Sequence, residues 1–494
     1  MKKTSLKKDF RELYGNLFLY LSISIGIILR VIYLLKKPLE FDEAVVWKVA
    51  NLPLKDIVSG NFFEFRFHPP LLYLFIHYWK YISESEIWLR LPSLIASVAS
   101  IFLLYIFLKN LLNKRIATLG VFLYSTSTFA IQWSTQLRVY QMLFMVSLIY
   151  LLVYTQFLKG AKKNIYLFLL FAIGALCFHL DYSFIWTFLA VNTHFILLNI
   201  NKILKKETVR WLFVNLLIFS NLLFYIVKIG QTTINSHSAL TAISPPSLWT
   251  IVSLFFEFLF SDRWNSLWVQ YSFYLSLFFF STIILFLYLV LKESIIIGKD
   301  KNKLLISLAI WVPLLISIIV SQFYPIFVSK NLFVVSLGII ICLAISLEKL
   351  SKYKIVFSLL LLMWFISNLS QISQFYNNDP QWGKTVIFYK NEVTVDSKIL
   401  FLPAWFKESF LYYNRKFNLI NFEKLMFTSF SKQTLNLTMG YKKSGINHCV
   451  IYDTYRRFTE ENFYQTYPKR DVFSFFETYP KKIYLGGGIR IYCL

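Results

Sequence analysis

Long apolar runs joined by short connections, every second one basic, constrain the fold of this chain more than any other feature. Leu17–Leu35, Leu91–Leu112 and Leu304–Val320 are each long enough, or nearly so, to cross about 30 Å of hydrocarbon. Lipid offers no partner to a backbone N–H or C=O, so such runs must satisfy their own polar groups as helices. The pattern predicts about eleven spanning helices, over 15–35, 90–112, 116–133, 139–158, 164–180, 182–200, 210–228, 267–291, 304–322, 330–348 and 354–371. The first run reads as a retained span, because Lys36, Lys37 and Pro38 follow it where a signal peptide would carry small residues at a cleavage site.

The basic connections are the N-terminus (Lys2, Lys3, Lys7, Lys8, Arg11), Lys114-Arg115, Lys159 with Lys162 and Lys163, Lys202 with Lys205, Lys206 and Arg210, Lys292 to Lys303, and Lys349 to Lys354. Short loops rich in Lys and Arg stay in the cytoplasm. The expected protein is therefore a multi-pass protein of the plasma membrane, with its N-terminus cytoplasmic and its C-terminal segment outside. The same loops account for much of the formal net charge of +25, so the basic balance requires no nucleic acid partner. The other connections, about 36–89, 134–139, 179–183, 229–266, 322–329 and everything beyond 371, face outward on this scheme. Within the first of them, 70–81 is apolar but short and interrupted by charge, which suits a helix lying in the interface.

The stretch 372–494 changes character. Thr385–Tyr389, Lys398–Pro403 and Cys449–Asp453 read as strands, and Ile483–Tyr492 contains Gly486-Gly487-Gly488 as a hairpin turn. The expected organisation is a transmembrane domain over 1–371 and a small extracytoplasmic α/β domain over 372–494. Of the four cysteines, Cys177 and Cys342 lie in apolar runs, whereas Cys449 and Cys493 share the C-terminal segment and are free to pair there if it is outside. No Cys-x-x-Cys metal spacing occurs.

Ionisable residues near hydrocarbon are costly and mark candidate sites. Asp42, Glu43, Arg66, His68, Arg90, Gln136, Arg138, Tyr140, His179, Asp181, Tyr182 and Lys330 all map to the outward side, as one outward-facing polar site requires. A carboxylate at Asp42-Glu43 suits general-base work, although a solvated loop pair explains it as well. Pro69-Pro70 fixes the backbone behind His68, which either bonds a substrate or caps the turn. Arg138 needs an anion, either a lipid phosphate or an acid such as Asp42 or Asp181. Lys330 neutralises a leaving phosphate or snorkels to headgroups. His179 and Asp181 leave a divalent cation open, but no spacing specifies one, and no metal ligand is assigned. The chain has no Asp-x-Asp motif for a metal-bound nucleotide sugar and no Gly-x-Gly-x-x-Gly fingerprint. Gly383-Lys384-Thr385 fails as a P-loop because position 378 is Asn.

With these residues in view, the chain resembles the GT-C superfamily of polyprenyl-phosphate-dependent glycosyltransferases. The likeness is to its family 39/83-like members, the bacterial and archaeal relatives of protein O-mannosyltransferases and of the lipid A aminoarabinose transferase. Phe41-Asp42-Glu43-Ala44 is similar to the acidic motif of the first outer loop, and His68-Pro69-Pro70-Leu71-Leu72-Tyr73 to a His-Pro-Pro-Leu-Tyr stretch. Glu86 with Arg90-Leu91-Pro92-Ser93, Gln136 to Tyr140 and Asp379 to Trp382 match further segments in order. Two departures stand out. Lys330-Asn331 replaces an Arg-Tyr pair, which keeps a cation but loses bidentate phosphate binding. Phe178 to Tyr182 only loosely follows a Thr-His-Tyr turn. The resemblance implies transfer of a sugar from a polyprenyl-phosphate carrier to a lipid, protein or glycan acceptor outside the cell. Asp42 would be the base, Glu43 its positioning partner, and Arg138 with Lys330 the counter-charge of the departing phosphate.

The rival readings are a transporter or flippase of lipid-linked sugars, which needs polar groups along a path to both faces, an O-antigen ligase or polymerase, which places a large loop between late spans, and an inactive scaffold.

Overall fold

The computed structural model describes residues 2–59, 69–160, 162–202, 205–235, 245–261, 273–301, 303–323, 326–378, 398–402, 409–413, 448–453, 481–485 and 489–493. In chain order the helices are α1 (Lys2–Lys36), α2 (Phe41–Ala50), α3 (Leu54–Ser59), α4 (Leu71–Trp79), α5 (Glu86–Leu111), α6 (Lys114–Thr126), α7 (Thr128–Ser134) and α8 (Tyr140–Leu158). They continue with α9 (Lys163–Leu180), α10 (Ile185–Asn199), α11 (Lys206–Asn235), α12 (Leu248–Phe260), α13 (Phe273–Ile297), α14 (Leu304–Val320), α15 (Phe333–Leu350) and α16 (Lys354–Asn378).

Among the described residues, 8 helices are long and apolar enough to cross a membrane: α1, α5, α8, α9, α11, α13, α15 and α16. Among the described residues the expected spans fall on helical segments, residues 267–272 of one of them lying outside the description, with three differences. The segment expected as one span over 116–133 is two helices, α6 and α7, broken at Ser127. α10 and α14 have only 15 and 17 residues, short for about 30 Å of hydrocarbon. Within the expected connection 229–266 lies the apolar helix α12, begun by Ser247, whose hydroxyl caps Thr250 N–H. The Pro245-Pro246 pair ahead of it disguises a helix start as a loop.

Two compact units make up the chain. The first comprises 1–35, 58–75 and 87–373. Its centre is α15, buried along nearly all its length, which packs on α6, α13 and α14. Small residues permit these close approaches, since lipid supplies no hydrophobic drive between helices and contact must come from packing. A Cβ at Gly338 would collide with Ile310 Cγ1, and one at Gly120 with Leu108 Cδ1.

The second unit comprises 36–57, 76–86 and 374–494. It takes in part of the first loop together with the C-terminal segment. Its four-stranded sheet has the order β1-β2-β4-β3, from β1 (Lys398–Leu402), β2 (His448–Asp453), β3 (Lys481–Leu485) and β4 (Ile489–Cys493). β1 and β2 are parallel, and β4 runs antiparallel to both β2 and β3, with Cys449 opposite Cys493. The expected strands at 398–403 and 449–453 and the β3–β4 pair are thus observed, while Thr385–Tyr389 and Gly486–Gly488 lie outside the described residues. The helical turn 409–413 ties the first loop to this unit. Tyr413 Oη accepts from Leu39 N–H at 2.7 Å and donates to Glu86 Oε2 at 2.9 Å. Tyr412 Oη donates to Glu84 O at 2.9 Å, and its ring meets Trp47 edge-on at 5.3 Å.

Candidate functional site

The break between α6 and α7 organises the first unit. A helix ended inside a membrane leaves carbonyls on one side and N–H groups on the other with no partner. Two residues far away in sequence meet this demand. Arg30 of α1, fully buried, donates to Tyr124 O (3.2 Å) and Ser125 O (2.9 Å), both in the last turn of α6. It also bonds Gly26 O at 3.0 Å and Ser97 Oγ at 2.7 Å. A cation at a helix C-terminus faces the negative end of the macrodipole, which compensates its charge where an acid would otherwise be needed. On the other side, Asn368 Oδ1 of α16 accepts from Thr128 N–H and Thr128 Oγ1, each at 2.7 Å. Ser127 Oγ caps Ala130 N–H.

α7 then delivers the expected site segment. Gln136 is buried, and its carbonyl accepts from Arg138 N–H at 2.7 Å. The Arg138 guanidinium lies over the Tyr140 ring, 4.9 Å from its centre, a cation–π geometry. Tyr140 also meets Trp133 edge-on at 5.2 Å and stacks on Phe333 at 6.4 Å.

Tyr140 and Lys330 line one narrow cleft between α8, α10 and α15. Its polar end holds Lys330, Asn331, Ser183 and Tyr140. Its walls are one stripe of α8 (Leu143, Phe144, Leu148, Leu151) and the facing Phe333, Val334 and Leu337. Positions three and four apart share a helix face, and the 11 helical steps from Tyr140 to Leu151 span about 16 Å. The cleft has the form of an amphiphile, with cationic and hydrogen-bonding groups at one end and a mainly apolar trough below, in which Ser147 and Thr187 are the polar wall residues.

The remaining expected residues are distributed. Asp181 is buried and accepts from Ser183 N–H at 2.8 Å, which sets the turn that brings Ser183 to the cleft. Tyr182 begins that turn. His179 is exposed, and its Nδ1 shares a hydrogen bond of 2.5 Å with Tyr225 Oη of α11. Arg90 is fully buried in α5. Asp42 and Glu43 lie in the second unit, in the first turn of α2. Asp42 is half-buried, whereas Glu43 is buried and accepts from Glu40 N–H at 3.0 Å, a capping role that fixes the turn carrying Asp42. Arg66 and His68 lie outside the described residues. Among the described residues, no group of three or more His, Cys, Asp or Glu side chains is placed to hold a metal ion.

Sequence reasoning missed Arg30, Asn368, Ser183 and Phe333. A signal for Arg30 exists, since it is a cation inside the first apolar run. The others look like ordinary span residues.

The sequence profile of the dolichyl-phosphate-mannose-protein mannosyltransferase family matches residues 67–226, under half of the chain. No curated protein matches the chain by sequence. Among solved structures, ArnT from Cupriavidus metallidurans bound to undecaprenyl phosphate is similar with a TM-score of 0.53 at 8% identity, over 96% of this chain and 97% of that one. The oligosaccharyltransferase of Archaeoglobus fulgidus in complex with Zn and sulfate is similar with a TM-score of 0.51 at 13% identity, over 88% of this chain and 68% of that one. The same archaeon's AglB, in complex with an inhibitory peptide and a dolichol-phosphate, gives 0.50 at 12% identity, over 90% and 70%. At such identities the likeness is one of fold. It extends over nearly the whole chain and agrees with the family matched in its first half. The chain thus has the fold of these membrane proteins, with several helices long and apolar enough to cross a membrane, and its residues 67–226 are similar to the mannosyltransferase family.

Proposed function

We propose that the protein transfers a sugar from a polyprenyl-phosphate carrier to a lipid, protein or glycan acceptor at the extracytoplasmic face of the plasma membrane. The observation that carries this reading is the amphiphile-shaped cleft beneath Lys330. Its trough matches an isoprenoid chain, and its cationic end matches the phosphate. Lys330 Nζ offers a point charge. Ser183, Asn331 and Tyr140 add neutral donors. Arg138, held on Tyr140 at the rim, adds a second cation. The two structural relatives described with undecaprenyl phosphate and dolichol-phosphate support the same donor class.

The reaction is a displacement at the anomeric carbon. The acceptor loses its proton to the Asp42 carboxylate and its oxygen or nitrogen forms the new bond to carbon. The carbon–oxygen bond to phosphate breaks, and polyprenyl phosphate departs with the electron pair. Single displacement inverts the anomeric centre. The role of Asp42 rests on the sequence resemblance and on its half-buried place in the first turn of α2. Arg66, Arg90, His68, Gln136, His179, Asp181 and Tyr182 complete the proposed substrate contacts, with Glu43 positioning Asp42.

The test uses the full chain in lipid nanodiscs with a panel of polyprenyl-phosphate sugars and membrane extract, following free polyprenyl phosphate by mass spectrometry. Release that falls in Asp42→Asn and Lys330→Gln supports the reading. No release with any donor from folded protein overturns it in favour of transport.

A further inference from the structure

A second groove lies between α9 and α11, at the end of the bundle where both helices begin. Asn164 of α9 lies beside Arg210 of α11, and Gly174 beside Ile218, so the two helices run in the same direction. They touch at Gly174, where a Cβ would stand 3.0 Å from Ile218 Cγ2. Between that contact and the helix starts lies an open groove of about 340 Å³. Its walls are one stripe of each helix: Leu167, Phe168 and Phe171 on α9, and Phe213, Val214 and Leu217 on α11. Phe168 and Phe213 remain 67% and 60% exposed, as side chains facing lipid on a spanning helix would be.

The polar groups stand at the open end alone. Arg210 Nη1 donates to Asn164 Oδ1 at 3.4 Å, and both residues line the groove. Lys162, Lys163, Lys205 and Lys206 surround them in sequence. The acid Glu207 accepts from Lys163 at 2.7 Å and also feels Lys205 and Arg210, so the cations beside it in sequence outnumber it. The groove is therefore positive at its mouth and apolar below it.

We propose that this groove binds a diacyl phospholipid with a net negative headgroup, its phosphate on Arg210 and one acyl chain along the stripes. Charge selects the headgroup, since a basic mouth between spanning helices at the headgroup level favours anionic lipid. Depth selects the chain. The ten helical steps from Asn164 to Gly174 cover about 15 Å, half of a hydrocarbon core of about 30 Å. That is the reach of one acyl chain within its leaflet, and a polyprenyl chain would overrun the closure at Gly174. The inference rests on the membrane-spanning reading alone and stands whether or not the proposed donor is right.

The experiment is native mass spectrometry of the delipidated full chain titrated with phosphatidylglycerol, phosphatidylcholine or undecaprenyl phosphate. Wild type is expected to take its first phosphatidylglycerol about fivefold more tightly than phosphatidylcholine, one basic contact's worth. Arg210→Gln, an exposed position, is expected to erase that preference while keeping weak binding of both. Leu217→Trp is expected to fill the trough and weaken both. Equal affinities in wild type, a preference that survives Arg210→Gln, or binding unchanged by Leu217→Trp would each overturn the proposal. Undecaprenyl phosphate displacing phosphatidylglycerol from this groove would reassign it to the carrier and overturn the diacyl assignment.

Discussion

Asn368→Leu tests whether the helix break is held from both sides. Asn368 and Thr128 are both fully buried. The leucine removes the side-chain acceptor of Thr128 N–H and one of the partners of Thr128 Oγ1, which keeps Asn368 O at 3.0 Å. Side-chain hydrogen bonds between membrane helices average about 0.6 kcal/mol, so two lost bonds alone cost about 1 kcal/mol. The larger effect is the buried N–H left without a partner, which costs about 1–3 kcal/mol. Leucine fills a similar volume and adds apolar contact, so the expected net loss is about 2 kcal/mol. Reversible SDS unfolding in mixed micelles, followed by tryptophan fluorescence, measures it. Thr128→Val, which removes the hydroxyl but keeps the backbone bond, is expected to lose about half as much. Because α7 leads into Gln136 to Tyr140, Asn368→Leu is also expected to raise the KM for donor lipid more than it lowers kcat. A stability change under about 0.5 kcal/mol would refute the reasoning, since an orphaned N–H in lipid is not that cheap.

Asp42→Asn is expected to lower turnover by more than about a hundredfold, the general-base range, with stability unchanged; turnover near wild type would sink the base assignment. Lys330→Gln is expected to raise the donor KM about tenfold and Lys330→Arg to restore most of it, measured by polyprenyl phosphate release. Gly338→Ala is expected to destabilise the bundle by about 1–3 kcal/mol through overpacking, because the added methyl meets Ile310; SDS unfolding reads the loss. Tyr413→Phe removes the bonds to Leu39 N–H and Glu86 Oε2 and is expected to speed proteolysis of the first loop, read by limited digestion.

Much of the helical architecture was legible in the sequence. Apolar length and the rhythm of Lys and Arg report a solvent constraint that acts on each segment separately, so α1, α5, α8, α9, α11, α13, α15 and α16 announce themselves one at a time. The break at Ser127 did not. Ser125-Thr126-Ser127-Thr128 interrupts the apolar run only mildly, and beside the local cap of Ser127 it is Arg30 and Asn368, arriving from distant parts of the chain, that satisfy the groups the break exposes.

The site divides along the same line. Tyr140, Arg138 and Lys330 stand out in sequence because charge and aromatic rings beside hydrocarbon demand a reason. By itself the sequence determined the class of protein, the order of its spans and the residues too polar to be there by chance. Only the tertiary structure decided that Tyr140 and Lys330 share a cleft, that Glu43 is committed to a helix cap and that His179 pairs with Tyr225. The physical reason is one of range. Burial and transfer energies are properties of a segment, whereas a cleft, a cap across helices or a hydrogen bond at 2.7 Å depends on which distant backbone comes to rest beside it.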